Sequence, residues 1–423
     1  MFLELLWVFP FLSLLASIAI LPLIQKHWWE KNFVFVSFGL ASMVIFHYLF
    51  QVKNSEVLLH TALEYFSFIV LIGSLFVVSG GIHINVKGEA TPFVNCVFLL
   101  LASVLASLFG TTGASMVFIR PWIRMNKYRL TAYHIVFFIF LVSNIGGGLS
   151  PMGDPPLFLG YLKGVPFFWV LKNVWPIWLI AMALLLGIFY PIDSFNFKKA
   201  PLKVRELETA HEEWKFLGTH NLFFLAMIIG AVFINRPSFL RETVMICAAF
   251  FSYKFTSKQI HESNDFNFAP IKEVAILFLG IFATMIPALE WLEHYADRLG
   301  ITTPGQFFWG SGILSSVLDN APTYLNFLSA SAGLLYPGHV EGVNPDMVAR
   351  ILMNHPQYIR AISVGSVFFG AVTYIGNGPN FLVKSIADQS KVKTPSFFAY
   401  FFNYSLPILI PIFFLIWFLW FQK

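Results

Sequence analysis

Two carboxylates set in apolar sequence are the residues best placed to do chemistry. Asp154 closes the run Ser143-Asn144-Ile145-Gly146-Gly147-Gly148-Leu149-Ser150-Pro151-Met152-Gly153-Asp154-Pro155-Pro156, and Asp319 lies in Ser315-Ser316-Val317-Leu318-Asp319-Asn320-Ala321-Pro322-Thr323. Hydroxyls and amides crowd both. Two further polar clusters interrupt apolar stretches: Thr111, Thr112 and Ser115, and Thr373, Asn377 and Asn380. Carboxylate, hydroxyl and amide oxygens are hard ligands suited to an alkali cation or a proton. Their N–H and O–H groups, together with helix N-termini, suit an anionic substrate. The candidate binding set is therefore Thr111, Thr112, Ser115, Ser143, Asn144, Ser150, Asp154, Ser316, Asp319, Asn320, Thr323, Thr373, Asn377 and Asn380. Within it, Asp154, Asp319, Asn144 and Asn377 are the expected transient Na⁺ ligands. The competing reading of either aspartate is a helix cap, a task that Ser or Thr performs without a carboxylate. The spacing of His, Cys and acidic residues matches no resident metal site, and nothing points to a cofactor.

The backbone around these residues cannot be regular helix. Four glycines and three prolines between 146 and 156 break it, and unwinding frees carbonyls that can coordinate a cation. Asp154 then falls at an N-cap position with Pro155 opening the next helix, whose positive end faces the unwound stretch. Gly376-Asn377-Gly378-Pro379-Asn380 repeats the device with a neutral Asn where the first has an acid. Phe109-Gly110-Thr111-Thr112-Gly113 and Leu318-Asp319-Asn320-Ala321-Pro322 interrupt two further stretches, 92–119 and 306–335.

Composition says what solvent surrounds these breaks. Of 423 residues, 57% are hydrophobic and 12% charged, against about 25% charged in soluble domains. Fifty are Phe. A chain of this length cannot hide that much apolar surface from water. The expected class is an all-α polytopic membrane protein in a lipid bilayer. The net charge of +5 belongs to short loops and indicates no nucleic-acid partner. Cys96 and Cys247 lie in apolar sequence and form no disulfide framework. The first apolar run lacks a basic leader and a cleavage site, so it reads as a retained helix.

About ten runs are long enough to span a bilayer, near 2–24, 33–51, 57–80, 131–150, 167–190, 219–235, 239–255, 271–291, 358–375 and 396–421. The stretches 92–119 and 306–335 read instead as re-entrant hairpins, with arms of about 14 residues or roughly 21 Å. Segments 131–162 and 358–388 read as broken helices. With the N-terminus outside, two thirds of the 27 Lys and Arg residues fall in inside loops, as the positive-inside rule requires.

These elements recur in order. Glu64 and Glu273, and likewise Thr111 and Asn320, lie 209 residues apart; Asp154 and Asn377 lie 223 apart. The expected organisation is a first half, 1–191, a polar cytoplasmic linker, 192–218, and a second half, 219–423, entering the membrane in the opposite sense.

In Gly110-Thr111-Thr112-Gly113-Ala114-Ser115, Asn144 through Pro156, Asp319-Asn320-Ala321-Pro322-Thr323 and Gly376 through Phe381, the chain resembles the ion transporter superfamily of bacterial secondary carriers. That group includes D-type sodium/proton antiporters, citrate–metal carriers, arsenite permeases and divalent-anion/sodium symporters. The similarity runs over about 60–400 and is strongest to the branch of citrate-transport and sodium:proton-antiporter proteins. It implies an inner-membrane carrier of elevator type, often a homodimer, with its sites at the hairpin tips and unwound segments. The chain departs from the antiporter pattern at the first tip, which carries no acid, and it lacks the Ser-Asn-Thr tips of the dicarboxylate symporters.

Three functions compete. Sodium/proton exchange leads, because Asp154 and Asp319 would bind Na⁺ or H⁺ in competition and no basic residue is visible at the site. Cation-coupled transport of citrate or another carboxylate would use the same donors. An intramembrane aspartyl protease is a remote third: Met152-Gly153-Asp154 and Pro287-Ala288-Leu289 echo its signature, but the first glycine and a Tyr-Asp pair are missing. The leading reading is a transporter and not an enzyme.

Overall fold

The computed structural model describes residues 2–85, 90–199, 215–234, 237–295, 300–337 and 343–422. Within them the protein is an all-α polytopic membrane protein, with one small exception. The first half carries α1 (Phe2–Ile24), α2 (Lys26–Phe46), α3 (Ser55–Gly80), α4 (Pro92–Phe109), α5 (Thr111–Met125), α6 (Ala132–Leu141), α7 (Pro155–Leu162) and α8 (Phe167–Lys199). The rest carries α9 (Asn221–Val232), α10 (Leu240–Phe255), α11 (Lys258–Ser263), α12 (Ala269–Tyr295), α13 (Pro304–Ser315), α14 (Asn320–Leu335), α15 (Pro345–Asn354), α16 (Pro356–Phe368), α17 (Gly378–Gln389), α18 (Phe397–Tyr400) and α19 (Ile410–Trp420). The exception is a two-stranded antiparallel ribbon, β1 (His83–Asn85) with β2 (Lys215–Leu217).

Seven helices among the described residues are long and apolar enough to cross a membrane. The shortfall from ten has identifiable causes. Residues 219–235 yield only the 12 residues of α9, 239–255 only the 16 of α10, 358–375 breaks after Phe368, and the apolar part of α1 is the shorter segment Leu6–Pro22, while Pro92–Phe109, an arm of the first hairpin, is itself one of the seven. Large apolar side chains cover the outside: Phe9, Phe35, Phe50, Phe93, Phe223 and Phe398 are each more than half exposed. Exposure of that kind is stable against hydrocarbon and unstable against water.

The stretch 92–119 does turn back at Gly110, but its arms are longer than the sequence suggests. The first has 18 residues and the second runs six residues past 119 to Met125, lengths of about 27 and 22 Å. The helix continues because Pro121 sits late in α5 and the following residues keep apolar periodicity. Gly110, at φ 76°, makes the reversal in a conformation that costs glycine nothing. In 306–335 the arms have 12 and 16 residues. The expected linker also starts late: residues 192–199 extend α8, and its remainder falls mostly outside the described residues.

That extension has a structural purpose. Asp193, fully buried on α8, receives Arg129 Nη2 at 2.9 Å, Tyr133 Oη at 2.7 Å and Asn95 Nδ2 at 2.9 Å, and Arg129 Nη1 also binds it. His134 Nε2 lies 3.1 Å away. The cluster ties α4, the α5–α6 turn, α6 and α8 together.

Packing joins the two hairpins crosswise. The second arm of the first hairpin, α5, lies against α17, while the second arm of the other, α14, lies against α7. On the far side α5 packs on α3 and α14 on α12. A long apolar core runs continuously through these contacts.

Candidate functional site

Four breaks in helix converge on Asp154. Between α6 and α7 the chain passes through a short 3₁₀ turn, Ile145–Leu149, and an irregular stretch to Asp154. Between α16 and α17 it does the same, with a 3₁₀ turn over Phe369–Val372 and irregular backbone to Asn377. Only glycine lets these loops close on themselves. A Cβ on Gly153 would stand 2.1 Å from Gly147 O, and one on Gly376 would stand 2.7 Å from Gly370 O. The positions 147 and 370, like 153 and 376, are 223 residues apart, so the same close approach is built twice.

Asp154 and Asn377 both occupy N-cap positions, yet neither side chain caps its helix. The Asp154 carboxylate, 1% exposed, instead accepts three hydrogen bonds from other segments. Thr111 Oγ1 donates to Oδ1 at 2.9 Å, Asn377 Nδ2 to Oδ1 at 3.2 Å, and Asn320 Nδ2 to Oδ2 at 2.8 Å. One donor comes from each hairpin tip and one from the opposite broken helix. The backbone joins in where Thr111 N–H donates to Gly153 O at 2.8 Å. All three side-chain donors are neutral. Among the described residues no Lys, Arg or His forms an ion pair with Asp154.

The amides are oriented by a second set of bonds. Asn320 Oδ1 accepts from Ser315 Oγ at 2.5 Å, which leaves Nδ2 for Asp154. Asn380 Nδ2 donates to Gly370 O and Thr373 O at 2.7 and 2.9 Å, so its Oδ1 accepts from Asn144 Nδ2 at 2.7 Å. Asn144 Nδ2 also donates to Ile139 O at 2.9 Å. That leaves Asn144 Oδ1 toward Asn377 Nδ2 at 3.2 Å, beside Ser143 O, also at 3.2 Å. Each amide therefore has one arrangement that satisfies its neighbours. Ser115 and Ser143 close the set through an Oγ–Oγ hydrogen bond of 2.8 Å.

The remaining candidates stand apart from this network. Thr112 is half-buried and lines, with Thr111 and Asp154, a cavity of about 30 Å³ against Leu71, Leu75 and Phe76 of α3. Ser150 Oγ donates to Ser107 O, and Thr373 Oγ1 donates to Ser316 O at 2.5 Å. These are equivalent struts, since 107 and 316 are 209 apart and 150 and 373 are 223 apart. Ser316 and Thr323 donate their own hydroxyls to Ile313 O and Asp319 O, each within one helical turn. Asp319 is half-buried, and its Oδ1 accepts the Ala321 N–H at 3.0 Å as the cap of α14. The second tip thus reaches Asp154 through Asn320. Asp319, the second aspartate a protease would require, turns to its own helix.

The set of partners on Asp193 was not foreseen, nor was Ser107. An isolated Asp in the still-apolar run Phe189-Tyr190-Pro191-Ile192-Asp193 was the available sign of the first, and the 209-residue match to Ser316 of the second. Among the described residues no group of three or more His, Cys, Asp and Glu is placed to hold a metal ion.

The described residues thus place a buried carboxylate inside an apolar, multiply spanning chain, where four helix breaks meet. No curated protein matches the chain. The family model described as "Putative citrate transport" matches residues 2–421, and the chain, a multi-pass membrane protein, belongs to that transporter family.

Proposed function

We propose that the protein is a cation-coupled secondary transporter in which Asp154 exchanges a proton for Na⁺, working as a sodium/proton antiporter by alternating access. One observation carries this reading: the buried carboxylate is held only by neutral hydroxyl and amide donors. A carboxylate locked to Arg or Lys stays charged and occupied. One facing neutral dipoles gains from either a proton or a small cation, and the two compete for one place. Thr111 Oγ1 lies on Asp154 itself, and Asn144 Oδ1 and Ser143 O lie on the Asn377 amide nitrogen that reaches Asp154; together these oxygens are a hard set suited to an alkali ion. The adjoining cavity of about 30 Å³ has room for an ion or water and none for a tricarboxylate.

The same reading treats residues 1–191 and 219–423 as inverted repeats on either side of the segment 192–218, in an inner membrane with the N-terminus outside. The paired offsets, the doubled glycine contact and the crosswise packing of α5 on α17 and α14 on α7 support it. The two hairpins and two broken helices then form the moving body, in a monomer or a homodimer.

The family description favours a second reading, in which a carboxylate such as citrate travels with the cation. The inward-facing N-termini of α7 and α17 would hold the anion. Purified protein in liposomes carrying a pH-sensitive dye separates the two. Na⁺ or Li⁺ collapses a preformed pH gradient under exchange, and Asp154→Asn removes the response. A signal that needs citrate, with none from Na⁺ or Li⁺ alone, would replace the antiporter with the symporter.

A further inference from the structure

Away from Asp154, two cavities meet at Trp291 of α12. One, of about 390 Å³, lies at the ends of two membrane-length segments, 27–52 and 269–295, and has Trp7, Tyr48, Trp291, Tyr295 and Glu290 in its wall. The other, of about 320 Å³, is apolar and bounded by α1, α12 and the α13–α14 hairpin. Neighbouring residues divide between them: Trp7 faces the first and Val8 the second, and so do Pro287 and Ala288. Trp291 lines both.

The polar cavity has the lining an ammonium group needs. Glu290 is half-buried, and its Oε2 accepts from Tyr48 Oη at 2.5 Å. No cation pairs with it among the described residues. Four aromatic rings share the cavity wall with that uncompensated charge, the combination by which proteins bind ammonium groups. Trp7 is fixed by stacking on His47, with centroids 3.7 Å apart and planes 11° apart. His47 in turn is held by Gln51 Oε1 at 2.7 Å. No Lys or Arg lines the cavity; the basic side chains in its wall are His47, stacked on Trp7, and His294, whose Nδ1 lies 2.8 Å from Glu290 O. The indole N–H of Trp291 is buried and lacks an acceptor among the described residues. A buried donor left open in this way is unusual and calls for a partner.

We propose that these two cavities form one binding site for a phospholipid with an ammonium headgroup, of the phosphatidylethanolamine kind. The ammonium sits against Glu290 and the aromatic faces, and an acyl chain enters the apolar cavity. The place fits the ligand: the polar chamber is at span ends, where headgroups lie, and the apolar chamber is at hydrocarbon depth. The acyl chain then lies against α13 and α14, next to the tip that carries Asn320. This site is independent of which ion Asp154 binds.

The test is lipid retention. Full-length protein is reconstituted in nanodiscs of equal phosphatidylethanolamine and phosphatidylglycerol, extracted in mild detergent, and its bound lipid is read by native mass spectrometry. The wild type should retain phosphatidylethanolamine over phosphatidylglycerol by roughly tenfold, the worth of one charge-assisted hydrogen bond. Glu290→Gln keeps the shape and the Tyr48 contact and should bring the ratio down to that of the disc. Trp291→Phe should reduce it by a smaller factor. Equal retention of both lipids by the wild type would reduce the cluster to an ordinary interfacial aromatic belt and overturn the proposal. So would a preference that survives Glu290→Gln. Displacement of the lipid by millimolar soluble ethanolamine would overturn it in favour of a water-soluble amine.

Discussion

Asp154 and Asp193 are both buried carboxylates in the first half, and their surroundings differ in kind. Asp193 is held in place by a guanidinium, with a phenol, an amide and an imidazole around it. Its charge is matched inside the protein, so nothing need enter to complete it. Asp154 receives only a threonine hydroxyl and two asparagine amides. Those bonds offset part of the desolvation cost and none of the charge. A buried ion pair works as a rivet, because removing one partner strands the other. In the function proposed for Asp154, a carboxylate held by neutral donors is a socket. Burial does not tell the two apart. Whether a cation is built in does.

The largest effects should separate rivet from socket. Asp154→Asn should abolish cation-dependent proton movement in proteoliposomes, a drop of about 100-fold or more for an intramembrane carboxylate at the transport step, with monodisperse, stably folded protein. Arg129→Met should do the reverse kind of damage, lowering stability by about 3–5 kcal/mol by stranding Asp193. Thermal unfolding in detergent measures it. Adding Asp193→Asn to Arg129→Met should recover part of that loss, since residues in one network do not add. If Asp154→Asn were the variant that failed to fold while Arg129→Met folded and stopped transporting, the roles would be exchanged.

A middle-sized effect concerns the donors. Asn320→Ala and Asn377→Ala each remove a hydrogen bond to a charged group, worth about 1.5–3 kcal/mol. Half-saturation for Na⁺ should shift by about tenfold in each. Asn377 should matter more to the fold of the site, because it also reaches Asn144 and Ser143. An unchanged Na⁺ dependence in both variants would leave Asp154 without its proposed neighbours.

The smallest effect belongs to Asp319. Asn caps a helix as well as Asp does, so Asp319→Asn should change stability by less than about 1 kcal/mol and transport only slightly. A loss comparable to that of Asp154→Asn, in the same dye assay, would restore Asp319 to the ion site.

The glycine and proline breaks were readable because no regular helix accommodates Gly146-Gly147-Gly148 followed by Pro151, Pro155 and Pro156. Asp154 was readable with them, as an acid where a hydroxyl would have capped. Asp319 illustrates the limit. Its sequence context resembles that of Asp154, and only the fold decides that its carboxylate bends back to Ala321 while the adjacent Asn320 reaches across. Asp193 was hidden for a different reason. Its partners lie 59 to 98 residues away and include Arg129, a residue type that usually marks a loop. The π-helical turn at 401–409 holds Pro407, which cannot donate to the carbonyl four residues back, whereas the turn at 47–52 contains neither Gly nor Pro to mark it.

The crosswise arrangement has a consequence in time as well as space. Asp154 leaves the ribosome long before two of its three donors, which follow 166 and 223 residues later. Until then the newborn first half holds an acid in lipid with little more than Thr111 to soothe it. An unpaired carboxylate in hydrocarbon is best tolerated with its proton on. Arrival of Asn320 and Asn377 supplies the two remaining donors, so the pocket around Asp154 is whole only once the second hairpin and the second broken helix have been made.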